Sequence, residues 1–222
     1  MPRLCLVSDT HNKLDLVKLP PADILVHAGD ATNHGKPEEI AAFNAVLDKV
    51  RDRYRHIIFV AGNHDWLFER DPIAARSILT NCIYLFDNEV TVEGLRIYGS
   101  PWQPRFYDWA FNLNRGHQMA EKWRQIPYGL DLLITHGPPW GILDITYRND
   151  HAGCEELLER VKEVRPRWHV FGHIHHSYGI QTGEPTSFVN ACTCDESYEA
   201  TNTPIVIDID CVSAGSGPFF AR

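Results

Sequence analysis

Five apolar runs in this chain end at side chains able to bind a metal ion or carry a proton. Leu4 to Val7 leads into Asp9 and His11, and Ile24 to Val26 leads into Asp30. Ile57 to Val60 leads into Asn63, His64 and Asp65. Leu132 to Ile134 leads into His136, and His169 to Phe171 into His173 and His175. Asp9 with His11, and His173 with His175, stand two positions apart, and on extended backbone such pairs point to one side. Asp30 has two carboxylate oxygens and can bridge two cations. Asn63 offers a carbonyl oxygen and His136 an imidazole. Seven ligand-type residues are too many for one ion and suit two. Oxygen and nitrogen donors without thiolate fit Mn, Fe, Zn, Co or Ni. Two divalent ions about 3.5–4 Å apart form a hydrolytic centre that makes hydroxide from a shared water and neutralises phosphoryl charge. Gly29, Gly62 and Gly172 each precede a ligand, where a missing Cβ permits a tight turn.

For these residues to meet, the runs must be strands whose carboxyl ends point the same way, where open α/β sheets place their ligands. The spacing predicts strands at 3–7, 24–27, 56–60, 131–135 and 168–171. Pro37-Glu38-Glu39 opens a helix with Ile40, Phe43, Val46, Leu47 and Val50 on one face. Further helices are expected after Asp71-Pro72, over 117–125 and over 154–165, the last closed by Pro166. Residues 83–98 read as a three-stranded antiparallel meander, and 178–208 as β again. Alternating βα units with hairpins fits one α/β domain over residues 1–222, with two mixed β-sheets packed face to face and helices outside. A (β/α)8 barrel needs a helix after each strand, which 83–98 and 178–208 do not offer.

The composition fits that plan. At 222 residues, with 44% hydrophobic and 23% charged, the chain is an ordinary globular one, long enough for a substantial core. No apolar run approaches a membrane span, and the N-terminus shows no signal-peptide architecture, so a cytoplasmic location is expected. A net charge of −8 argues against general nucleic-acid or membrane binding. It leaves room for an anionic small-molecule substrate, because bound cations reverse the local sign. The six cysteines, scattered and without a C-x-x-C pair, read as reduced thiols. Between Ser100 and Phe111 lies a loop rich in aromatics. Trp102 and Trp109 in it are candidates to stack on a nucleobase or another flat group; covering the core or a homodimer interface is the rival role.

In order, D-x-H (Asp9, His11), G-D (Gly29, Asp30), G-N-H-D (Gly62 to Asp65), His136-Gly137 and G-H-x-H (Gly172 to His175) resemble the calcineurin-like metallophosphoesterase superfamily. The runs around Gly99, Asp108, His136-Gly-Pro-Pro and Val170 look like its metallophosphoesterase domain-containing branch. The resemblance implies a four-layer αββα sandwich and a dinuclear phosphoester hydrolase. Asp9, His11, Asp30 and His175 would hold one metal, and Asp30, Asn63, His136 and His173 the other. Manganese is the expected ion, with Fe, Zn, Co, Ni or Mg as alternatives. A metal-bridging hydroxide would attack phosphorus. His64 would contact phosphate and act as general acid, and Asp65 would orient it. Cyclic nucleotides and related phosphodiesters are the implied substrates; the rivals are a phosphomonoesterase or protein phosphatase, and a nucleotide-binding regulatory module.

Overall fold

The structure, a computed structural model, describes residues 1–210; Cys211 lies outside them. The elements run in order as β1 (Arg3–Val7), β2 (Ile24–His27), α1 (Pro37–Val50), β3 (His56–Phe59), α2 (Leu67–Arg70), α3 (Pro72–Ile78), β4 (Ile83–Tyr84), β5 (Asn88–Val92) and β6 (Leu95–Ser100). There follow β7 (Gln103–Pro104), β8 (Asn112–Leu113), α4 (His117–Trp123), β9 (Leu132–Thr135), α5 (Glu155–Val164), β10 (Trp168–Phe171), β11 (Gly179–Gln181), β12 (Ser187–Asn190) and β13 (Ile205–Asp208). They form two mixed sheets, ordered β13-β1-β2-β3-β4 and β11-β12-β10-β9-β6-β5.

Strand alternation sets the layers. Leu4 and Leu6 of β1, Ile24 and Val26 of β2, and Ile58 of β3 meet Ile97, Leu132, Ile134 and Val170 of the second sheet in a shared core. Cys5, Val7, Leu25 and Phe59 face the other way, onto Ile40, Phe43 and Leu47 of α1. Leu133 and Phe171 turn outward onto Trp123 of α4 and Leu157 and Val161 of α5. The result is four layers, helix–sheet–sheet–helix, as expected. Helix starts follow local chemistry. In α1, Pro37 leads and Glu39 accepts from the Lys36 amide at 2.9 Å. In α3, Asp71 caps the Ala74 amide at 3.0 Å.

The expected meander is replaced by a crossover. Strand β4 pairs parallel with β3 at the edge of the first sheet, and only β5 and β6 form an antiparallel hairpin. Tyr84 decides this: its ring packs against Phe59 and Phe68, at 5.7 and 4.8 Å, in the first helical layer. The chain then changes sheets around Asp87, at φ 51°.

Candidate metal centre

Strands β1, β2 and β3 run parallel, as do β9 and β10. All five therefore deliver their following loops to one end of the sandwich, and the polar residues meet there. Asp9, His11, Asp30, Asn63 and His136 are buried. Three sets of ligand atoms lie within 4.8 Å of one another: Asp9 with His175 and Cys192, His11 with Asp30 and His64, and Asp30 with His136 and His173. Asp30 belongs to two of them.

The ligand loops are not extended. Asp9, His11, Asp30 and His173 have φ of 51°, 43°, 53° and 68°, and His175 opens a 3-10 helix. The side chains converge through left-handed turns, a conformation L-residues adopt at a cost and found often at functional sites. The backbone turns so sharply because it is gripped: the Asp9 amide donates to the Gly29 carbonyl at 2.8 Å, and the His11 amide to that of Asp30 at 3.1 Å.

Backbone carbonyls aim the imidazoles. Nδ1 of His136 donates to Ala28 O at 3.0 Å, and Nδ1 of His175 to Asp195 O at 2.8 Å. Their Nε2 atoms are thereby turned inward. That of His136 lies 2.9 Å from Asn63 Oδ1 and 3.3 Å from Asp30 Oδ2. That of His175 lies 3.4 Å from Asp9 Oδ1 and 3.4 Å from His11 Nε2. Charge balance within the chain follows these contacts. Burial opposes ionisation of Asp9 and Asp30, yet their histidine neighbours hold both carboxyls below the usual range. Burial likewise opposes protonation of His136 and His175, but Asp30 and Asp9 push both up to about 9. Burial pushes His11 and His173 down to about 4 and 3.

Divalent cations fit this cluster. Among the described residues, the buried Asp9 Oδ1 and His11 Nδ1 have no hydrogen-bond partner, and such atoms are rare in native interiors. A Cβ on Gly62 would overlap the Asp30 carboxylate, and one on Gly172 the Asp9 carboxylate. The donors are imidazole nitrogen and carboxylate or amide oxygen, the set that borderline and hard divalent ions take.

His64 stands at the rim, its side chain 13% exposed. Its Nδ1 donates to the Asn33 carbonyl at 2.7 Å, and Nε2 lies 4.0 Å from Asp30 Oδ2. Asp65 does not orient it. That carboxylate accepts instead from the Gly62 amide at 2.8 Å, the Thr32 amide at 3.0 Å and the Thr32 hydroxyl at 2.7 Å. It clamps the loop after β2 to the loop after β3. Burial, then the charge of Asp30, push its pKa up to about 6. Trp109 stacks on the His64 ring with centroids 4.1 Å apart. Trp102 does not reach the cluster: its indole donates to Asp87 at 2.9 Å and packs against Phe86 and Phe111.

Three neighbours carried no clear signal in the sequence. The Tyr198 ring lies 4.6 Å from that of His11 and 5.3 Å from that of His175. The Cys192 thiol donates to Asp9 Oδ2 at 3.2 Å. The Asn33 carbonyl holds His64. Tyr198 and Cys192 sit on the segment after β12, which folds back on β1 through bonds from the Thr193 amide to Ser8 O and the Cys194 amide to Asp9 O.

Residues 2–177 match the family model described as calcineurin-like phosphoesterase. The chain belongs to that family. Metallophosphoesterase domain-containing protein 1 of Homo sapiens is 46% identical over 93% of this chain and 71% of its own length. The UPF0046 protein T07D4.2 of Caenorhabditis elegans is 40% identical over 93% of this chain and 60% of its own. The solved structure of TT1561 of Thermus thermophilus shares the fold, with a TM-score of 0.59 at 15% identity over 85% of this chain and 88% of that one. As a calcineurin-like phosphoesterase, this protein is a metal-dependent phosphoester hydrolase. Its family uses divalent ions, and the clusters around Asp9 and Asp30 are candidate places for them.

Proposed function

We propose that this phosphoesterase is a dinuclear phosphodiesterase, acting on cyclic nucleotides or related diesters. The observation that carries the reading is the position of Asp30, grouped with His11 and His64 of the first sheet on one side and with His136 and His173 of the second on the other. Asp9, His11, Asp30 and His175 would hold one cation; Asp30, Asn63, His136 and His173 would hold the other. When bound, the pair supplies a nucleophile from water at neutral pH and offsets charge on the phosphoryl oxygens.

The chain supplies the rest. His64, with Nδ1–H given to Asn33 O, presents Nε2 to the centre; as the imidazolium it donates Nε2–H to a phosphoryl oxygen and then releases that proton to the departing alkoxide. Asp30 Oδ2 stands 4.0 Å from that nitrogen, so the donor faces the centre. Trp109 fixes the ring plane by stacking. Trp109 against His64 and Tyr198 against His11 put aromatic surface beside the centre, which supports a substrate with an organic group on phosphorus.

The test uses Mn²⁺-loaded protein and three substrates: a cyclic nucleotide, an alkyl 4-nitrophenyl diester and 4-nitrophenyl phosphate. Turnover of the two diesters is expected, and turnover of the monoester alone overturns the diester preference. His64→Ala should lower kcat by about 10²–10⁴-fold for the cyclic nucleotide, whose alkoxide needs a proton. The loss should be much smaller for nitrophenolate, which leaves unprotonated. Equal losses would remove the general-acid role.

A further inference from the structure

Beside His173, away from His64, the surface opens into a pocket of about 120 Å³ lined by Gln103, Arg105, Phe106, Arg115, Pro138 and His173, among others. It is small next to the roughly 300–1,000 Å³ of pockets for drug-sized ligands, so it holds one ring system rather than a whole nucleotide. The Phe106 ring, 45% exposed, stands edge-on to His173 with centroids 5.6 Å apart. The arginines on the pocket wall do not present a bare charge. Arg115 donates to the Gly153 carbonyl at 2.8 Å and to Glu155. Arg105 donates to Asn114 at 3.2 Å and lies 3.8 Å from Asp108.

Gln103 decides the chemistry. Its side chain is buried, and Oε1 has no hydrogen-bond partner among the described residues. The amide orientation is fixed in turn. Asn112 Nδ2 donates to the carbonyls of Phe106 and Tyr107, at 3.3 and 2.9 Å, and Asn112 Oδ1 accepts from the Phe106 amide at 3.1 Å. That oxygen therefore takes Gln103 Nε2 as donor, at 3.4 Å. Gln103 Oε1 is left as an acceptor in want of an N–H, and a buried acceptor without one costs stability.

We infer that this pocket is a subsite for one substituent of the phosphodiester, a flat ring bearing an N–H donor, the chemistry of a nucleobase. Phe106 supplies the face on which the ring packs, and Gln103 Oε1 accepts its N–H. The inference deepens the reading of the adjacent centre as a phosphodiesterase and rests on it for the substrate's phosphate end. Because Gln103 and Phe106 are not metal ligands, occupancy of the pocket can be read without turnover.

The test is binding of adenosine, which has the ring and no phosphate, followed by saturation-transfer NMR and calorimetry on the full chain. N6,N6-dimethyladenosine, lacking the exocyclic N–H, is the matched probe. Saturable binding of adenosine is expected, weakened about tenfold by the dimethyl probe and by Gln103→Met. Phe106→Ala, at an exposed loop position, should weaken both probes about equally. Absence of saturable binding, or binding indifferent to both substitutions, overturns the subsite. If adenosine binds as described while no diester is hydrolysed, the pocket stands and the phosphodiesterase reading falls. If diesters are hydrolysed and adenosine does not bind, the reverse holds.

Discussion

The two sheets do different work at the centre. The first, through the loops after β1, β2 and β3, provides both buried carboxylates, Asp9 and Asp30, with His11 and Asn63. The second, through β9 and β10, provides only imidazoles: His136, His173 and His175. Negative charge thus comes from one side and neutral or cationic nitrogen from the other, and each side is incomplete without the sandwich. The supports behind them correspond. Nε2 of His27, in β2, lies 2.8 Å from the Thr10 hydroxyl, beside Asp9 and His11. Nε2 of His169, in β10, lies 2.8 Å from the Thr135 hydroxyl, beside His136. Each sheet therefore pins its ligand turn with a buried histidine–threonine pair.

If the carboxylate side sets metal binding, its loss should be the most severe. Asp30→Ala is expected to lower turnover by about three orders of magnitude or more. Bound metal measured by elemental analysis should fall to less than one ion per chain, because both ligand sets lose a member. His173→Ala, on the imidazole side, should keep one ion. Equal metal contents in the two variants would break the asymmetry between the sheets.

The glycines divide differently: Gly62 and Gly172, one in each half, are both tight, and Gly137 is not. A Cβ at Gly62, in the carboxylate half, would strike Asp30 backbone and carboxylate and come within 2.6 Å of the His136 ring. At Gly137, in the imidazole half, it would meet only Gln103 Cβ, at 3.6 Å. Gly62→Ala should cost about 1–3 kcal/mol in urea unfolding, the range for overpacking a tight site. Gly137→Ala should stay within about 0.5 kcal/mol. Similar midpoints for the two would show that the first turn yields more easily than its packing indicates.

Much of this was legible before folding was considered, and for identifiable reasons. Strand ends were readable because buried parallel strands are short apolar runs, and a polar residue straight after one has few places to go. The αββα layering followed from where helical spacing alternated with strands. What the sequence hid is long-range. Nothing local separates a β4 that joins the first sheet from one that starts a meander; Tyr84 packing on Phe68 decides it. Asp65 beside His64 suggests a contact, but the turn sends the carboxylate to Thr32, thirty-three positions back. Trp102 and Trp109 look alike on one loop, and only the fold puts one on Asp87 and the other on His64. Tyr198 reaches His11 from the far end of the chain, with no motif around it.

An effect confined to acid pH is expected at the histidine–threonine supports. His169 is fully buried, and burial pushes its pKa down to about 3 from an ordinary 6.5. The Thr135 hydroxyl donates to the Gly137 carbonyl at 2.7 Å, so it takes Nε2–H of His169 as donor. Nδ1 has no partner among the described residues, so a proton there has no acceptor. The folded ring therefore stays neutral while the unfolded one protonates. Between about pH 6.5 and 3 the unfolded chain binds one more proton, and stability falls as pH drops through that window. Above it, this histidine contributes no pH dependence. The loss is about 2 kcal/mol by pH 5. His169→Gln keeps a donor for Thr135 and cannot titrate, so its urea midpoint should fall less between pH 7 and pH 5 than the wild-type midpoint. The His27 ring, also pushed down to about 3 by burial, has Asp9 and Asp30 partly offsetting it. Cations that neutralise those carboxylates should therefore steepen the acid sensitivity due to His27 and leave that of His169 unchanged. Matched pH dependence in His169→Gln and the wild type would mean that the ring takes up its proton without unfolding, and the support on the imidazole side would then be looser than its 2.8 Å contact implies.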